Sequence, residues 1–182
     1  MGLDMYLYAE KYVSSSDTFD KEHPSMFSEI KKIAGFEQLP TPDFANILVK
    51  QLVGYWRKAN AIHGWFINNV ADGVDECQEI HLSREQLETL RSDCIKALAN
   101  PDRQYQIENN KVFYLLCDYL NSLDQKITVD TYENPLKPSA GFFFGSDDLG
   151  DYYYSQLEYT VDLITTLLEN SDQLEFIYRA SW

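Results

Sequence analysis

Hydrophobic and polar positions alternate at the start of the chain. Leu3, Met5 and Leu7 face one way and Asp4, Tyr6 and Tyr8 the other, which predicts a half-buried strand over 3–8. The same period of two returns near the far end. There Leu174, Phe176 and Tyr178 alternate with Glu175, Ile177 and Arg179, a second strand. The polar stretch 14–24, with three consecutive serines and His23-Pro24, reads as a loop, followed by a short helical turn around Met26–Ile33.

The longest helical pattern covers 43–70. Phe44, Ile47, Leu48, Leu52, Tyr55, Ala59, Ile62, Phe66 and Val70 recur at steps of three or four, the spacing of one buried helix face. Thr41 or Asp43 could cap this helix, with Pro42 in the first turn, and Asp72-Gly73 ends it. Gly54 and Gly64 lie inside it, which implies either a close neighbour or a break near Gly64. Ile80 and Leu82 suggest a short strand over 78–82. Ser83 and Gln86 form a capping box that opens a helix with Leu87, Leu90, Cys94, Ala97 and Leu98 inward, stopped at Asn100-Pro101. A further helix is predicted over about 107–123, with Phe113, Leu116, Cys117 and Leu120 inward. Strands are predicted at Ile127–Val129 and at Phe142–Phe144, separated by a loop over 133–141. Asp151 can cap a last helix that buries Tyr154, Leu157, Val161, Ile164 and Leu168. Strands at both ends with helices between them imply an α+β fold. We expect one domain over 1–182, with a small, mainly antiparallel sheet that holds both terminal strands and about four helices on one side of it.

Composition bounds the function. The 182 residues are 45% apolar and 24% charged, the usual mix for a globular protein, and the formal net charge is −14. Such a charge argues against direct nucleic-acid binding and against docking on anionic membrane. Cys77, Cys94 and Cys117 form no C-x-x-C pair and are odd in number, as expected of reduced thiols in a cytoplasm. Met1–Leu7 has no basic region and no long apolar run, so it does not read as a signal peptide, and no run approaches a membrane span.

The charge is unevenly spread. Residues 44–71 contain no Asp or Glu but hold Lys50, Arg57 and Lys58, a net +3, so −14 overall means −17 elsewhere. Residues 139–182 alone carry −7. On a helical wheel of 43–70, Trp56, Asn60 and His63 share one flank beside the main apolar stripe. Lys58 falls on the other flank, and Arg57 lies one residue round from Trp56. Two readings stay open. Trp56 and Ile67 pack under a neighbour, while His63 and Asn60 bond local backbone groups. Or Trp56, Arg57, Lys58, Asn60 and His63 form a site for a small anionic, nucleotide-like ligand. In that site Trp56 stacks, Asn60 reads an edge, Arg57 and Lys58 meet charge, and His63 donates a hydrogen bond or serves as an acid–base group. The alternative function is an acidic interaction module. Its 139–182 surface would bind a basic host protein, such as a nuclease or defence factor, by imitating nucleic acid.

Motifs for other chemistry are absent from the sequence. There is no phosphate loop, dinucleotide turn, H-E-x-x-H or G-x-S-x-G, so no cofactor is expected and no catalytic set can be named. Whether any reaction is catalysed is left open, with His63 the one candidate general base. His63, Cys77 and His81 match no zinc spacing, so no metal is expected. Asp72, Asp75, Glu76 and Glu79 read as a solvated turn. Gly145-Ser146-Asp147-Asp148 could expose a helix N-terminus, but its acids would repel a phosphate.

Four segments occur together: Met1-Gly2-Leu3-Asp4-Met5-Tyr6-Leu7, the run Gly54–His63, Gly141-Phe142-Phe143-Phe144-Gly145-Ser146, and Ser181-Trp182. In this set the chain resembles a family of small uncharacterised bacteriophage and prophage proteins, along its whole length. The resemblance implies a place in the cytoplasm of an infected or lysogenic bacterium. It brings no activity and no catalytic residues.

Overall fold

The computed structural model describes residues 2–16, 23–108, 110–139, 141, 144–170 and 173–182. Strand β1 (Asp4–Ser14) leads to helix α1 (His23–Ile33), strand β2 (Asn46–Arg57), helix α2 (Asn60–Asn69) and the short strand β3 (Ile80–Leu82). Helices α3 (Arg84–Leu98), α4 (Lys111–Asn121) and α5 (Asp151–Asn170) follow, and strand β4 (Glu175–Ser181) completes the order. The strands form one antiparallel sheet in the order β2–β1–β4–β3. The fold is thus α+β with the first and last strands paired. The described residues hold five helices where about four were expected. None of them is long and apolar enough to cross a membrane.

Strand parity explains the layers. Met5 pairs with Trp56 and Ala180, Leu7 with Gly54 and Tyr178, and Ala9 with Phe176, so these residues share one face. That face is buried in a single core with Phe66 of α2, Leu87 and Leu90 of α3, and Leu157, Val161 and Ile164 of α5. The opposite face carries Tyr6, Tyr8 and Tyr12 of β1 beside Tyr55, Leu52 and Leu48 of β2. On this face Tyr12, Leu48, Leu52 and Tyr55 are exposed, while Glu10 and Ile177 are buried.

The long helix expected over 43–70 is the main correction. Residues 46–57 are a strand, and only Asn60–Asn69 is helical. Ile47, Leu48, Leu52 and Tyr55 fit a helix face, but the same stretch is rich in β-branched and aromatic residues, which suit a pleated surface. Tertiary pairing decides between the two, because β1 offers β2 a ladder from Asn46 to Arg57. The chain turns at Lys58, whose φ of +56° is left-handed, and not at Gly64. The Lys58 amide donates to the Leu3 carbonyl at 2.7 Å, which fixes that turn to β1. Gly54 does mark a close neighbour. A Cβ there would lie 2.6 Å from Leu163 Cδ2 of α5, whereas one at Gly64 would meet nothing within 4 Å.

Smaller departures follow the same logic. Helix α4 runs over 111–121, capped by Asn110, and buries Val112 and Leu116. Phe113 and Leu120 are exposed and Cys117 is half-buried. Residues 127–129 form no strand. Of the strand expected at Phe142–Phe144, residues 142 and 143 lie outside the described residues. Phe144 sits in a turn closed by a single bridge between Gly141 and Gly145. The predicted capping box is present: the Ser83 hydroxyl accepts from the Gln86 amide, and the Gln86 side chain accepts from the Ser83 amide at 2.8 Å.

Candidate functional site

The change of direction at Lys58 sets the first turn of α2 against the 138–150 loop and the start of α5. A cavity of about 380 Å³ lies between them. Ala59, Ala61 and Ile62 line it from α2, and Leu157 with Tyr152 and Tyr153 from α5. Its polar edge holds Lys58, Ser146, Asp148, Asp151 and Gln156.

Two helix N-termini meet here. Ala59, at the N-cap of α2, gives no side-chain cap, and the first turn of α2 contains no acid. The amides of Asn60, Ala61 and Ile62 therefore have no acceptor within the helix, and the positive end of its dipole is not neutralised locally. Helix α5 starts alongside. Tyr154 N donates to the Gly150 carbonyl at 3.2 Å, so Gly150 occupies the cap without a side chain. Lys58 adds a full positive charge at the rim. Asp148 and Asp151 add two negative ones, of which Asp148 accepts from the Ser146 hydroxyl at 2.7 Å.

Asn60 builds the wall of the cavity. It is 5% exposed; its Nδ2 donates to the carbonyls of Phe144 (3.2 Å) and Ser146 (2.8 Å), and its Oδ1 accepts from the Ser139 amide (3.3 Å). Every polar group of this side chain is thus turned toward the loop, so Asn60 shapes the cavity and does not read a ligand.

The other residues picked from the wheel are scattered by the strand–helix break. Trp56 is 1% exposed in the core. Its Nε1 donates to Thr160 Oγ1 at 2.9 Å, and its ring meets Phe66 and Tyr159 edge-on. It offers no face to a ligand. Arg57 is exposed at the end of β2, outside the cavity lining, and its carbonyl accepts from the Tyr152 hydroxyl. His63, 4% exposed, also lies outside the lining, between Tyr178 Oη (2.7 Å from Nδ1) and Asp75 Oδ2 (3.0 Å from Nε2). Burial pushes the Tyr178 phenol well above its ordinary value, with the Asp75 carboxylate adding to the effect, so it stays protonated. Both ring nitrogens of His63 are thus engaged within the protein. Phe144 stacks on the imidazole at 5.6 Å, and Trp182 Nε1 donates to Asp75 Oδ1 at 3.3 Å. This network ties α2, the 71–79 segment and β4 together.

Of the five expected site residues, the structure brings Lys58 and Asn60 to the cavity and places Trp56, Arg57 and His63 elsewhere. Asp148 and Asp151 line the cavity; the charge of Asp148 had counted against a site there, and Asp151, expected as the cap of the last helix, is instead its first residue. The sequence signal for them was the uncapped Gly150 before an apolar helix. A second hollow of about 660 Å³ lies between the ends of α3 and α4 and the 121–127 loop. Arg103 enters it but donates to the Leu98 carbonyl, and Asn121, Gln125 and Lys126 are exposed, so it is an open groove. Among the described residues, no group of three or more His, Cys, Asp or Glu side chains could hold a metal ion. No family model, curated protein or solved structure matches the chain.

Proposed function

We propose that the cavity at the start of α2 binds a small anionic ligand of nucleotide type. The observation that carries this is the acid-free N-terminus of α2, without a side-chain cap, meeting Lys58 at a mostly apolar cavity. The anionic group would sit on Lys58 and the amides of Asn60, Ala61 and Ile62. Ile62 and Leu157 would pack against a ring. Asp148 and Asp151 would accept hydrogen bonds from ligand hydroxyl or amino groups, which is how acidic side chains can share a site with an anion. The likeness to phage and prophage proteins supports placing this ligand in an infected or lysogenic cell, where the protein would serve as an accessory factor.

Native mass spectrometry of the chain purified from bacterial lysate, followed by calorimetry with nucleoside mono- and diphosphates, tests the reading. Lys58→Asn removes the ammonium while keeping a residue that accepts the left-handed backbone, and it should weaken binding at least about tenfold. Arg57→Ala and Lys126→Ala should each change affinity by less than about threefold. If Lys126→Ala weakens binding and Lys58→Asn does not, the ligand lies in the groove beyond α3 and the proposal fails. It also fails if no member of the panel binds and nothing is retained from lysate.

A further inference from the structure

The groove at the ends of α3 and α4 differs in charge from the rest of the chain. Among the described residues, its charged lining groups are Arg103 and Lys126, and no Asp or Glu lines it, in a protein of net −14. Asp102 and Asp124 adjoin it in sequence but are exposed outside the lining. The walls are mostly apolar. Leu98 and Leu116 are buried, Leu123 and Ile127 are half-buried, and Leu120 is 42% exposed.

Arg103 is the unusual group. It is half-buried, and its Nη1 donates to the Leu98 carbonyl, which holds the guanidinium at the end of α3. Among the described residues its Nε and Nη2 have no acceptor, and it forms no ion pair. Burial pushes the guanidinium below its ordinary value and outweighs the attraction of Tyr154 and Glu158. Glu158 is already held by the Tyr105 hydroxyl at 2.6 Å and by Asn110 Nδ2 at 2.7 Å. A cation taken from water without a counter-ion is destabilising, and an anion in the groove would relieve this.

Both helices end here, and open carbonyls at such ends would repel an anion. At α3, Ala97 accepts from the Asn100 amide at 3.3 Å and the Tyr132 hydroxyl at 3.1 Å, and Leu98 accepts from Arg103. At α4, Asp118 and Tyr119 accept from the Ser122 amide at 3.0 and 3.1 Å.

Size and charge select the occupant. A volume of about 660 Å³ is that of a small-molecule site. A long acidic segment would meet Asp102, Asp118 and Asp124 outside the groove, whereas a small ligand touches only the lining. The free Nε–Nη2 side of one guanidinium matches one planar carboxylate. A phosphate would bring a second charge into an acidic molecule, with only the exposed Lys126 to meet it. We propose that this groove binds a small organic monocarboxylate with an apolar body. The carboxylate sits on Nε and Nη2 of Arg103, and the body packs against Leu116, Leu120, Leu123 and Ile127. This site is separate from the cavity at α2 and does not rest on the ligand proposed there.

Amide NMR titration of the full chain with octanoate, octanamide and octyl phosphate tests this. Octanoate at millimolar concentration should shift amides of 98–103 and 116–127 in a saturable way and leave those of 58–62 unmoved. Octanamide, which keeps the body and loses the charge, should bind at least about tenfold more weakly. Arg103→Lys keeps a charge and a donor for Leu98 but loses the fork, and should weaken octanoate at least about tenfold. Leu120→Glu, at an exposed position, should do the same by setting a like charge on the apolar wall. Lys58→Asn should change octanoate affinity by less than about threefold, so this proposal and the one for the α2 cavity fail independently. The proposal is overturned if octanoate shifts nothing in the groove or if octanamide binds as tightly. It is also overturned if octyl phosphate binds more tightly than octanoate, or if affinity survives either groove substitution.

Discussion

Removing the Asn60 side chain would leave the Phe144 and Ser146 carbonyls and the Ser139 amide without their partner beside the cavity. Asn60→Ala should therefore cost about 1–3 kcal/mol, the range for buried polar groups left unsatisfied. It should also speed hydrogen exchange in 139–146, read by mass spectrometry against the parent chain. Unchanged stability and exchange would mean that the loop is held by other contacts. At this scale the sequence singled out hydrogen-bonding residues but not their partners, and of the five only Lys58 and Asn60 lie at the cavity. An amide, an imidazole and an indole in one run could be read as reagents for a ligand, because each is a hydrogen-bonding group on an apolar surface. Their actual partners, Ser146, Tyr178 and Thr160, lie 86, 115 and 104 positions away, beyond the reach of any local pattern.

At the scale of elements, the two glycines of the 43–70 stretch separate. Gly54 sits in β2 under α5, where an added Cβ would meet Leu163 Cδ2 at 2.6 Å and Leu7 Cβ at 3.2 Å. Gly54→Ala should destabilise the protein by about 1–3 kcal/mol through overpacking. Gly64 sits in α2 with open space around it, so Gly64→Ala should stabilise by about 0.4–1 kcal/mol through the entropy of the unfolded chain. Chemical denaturation of the two variants checks the opposite signs; a shared sign would contradict the strand–helix division at Lys58. The capping box at Ser83 and the faces of α3 and α5 were legible because their signals are local and their periods unambiguous. The 46–57 stretch was not, because its apolar residues fit both periods and only the ladder with β1 decides between them.

Across the whole molecule, buried phenols set the alkaline limit. Burial pushes Tyr153, Tyr154 and Tyr178 above their ordinary value, and burial with the Glu158 carboxylate brings Tyr105 up to about 12. Unfolded tyrosines lose their protons near pH ~10. Above that pH the folded chain holds more protons than the unfolded one, so stability is full below pH ~10 and falls as pH rises toward ~12. The thermal midpoint should drop across this window as phenolate absorbance grows; a level midpoint would contradict the burial of these side chains. The amino-acid order by itself determined the α+β class, a strand at each end of the chain, most helix faces and the acid-free stretch 44–71. All of these follow from local periodicity and composition. Tertiary structure alone decided that this stretch is half strand and that its polar residues are divided between core and cavity. Those outcomes depend on which distant backbone and side-chain groups satisfy each other.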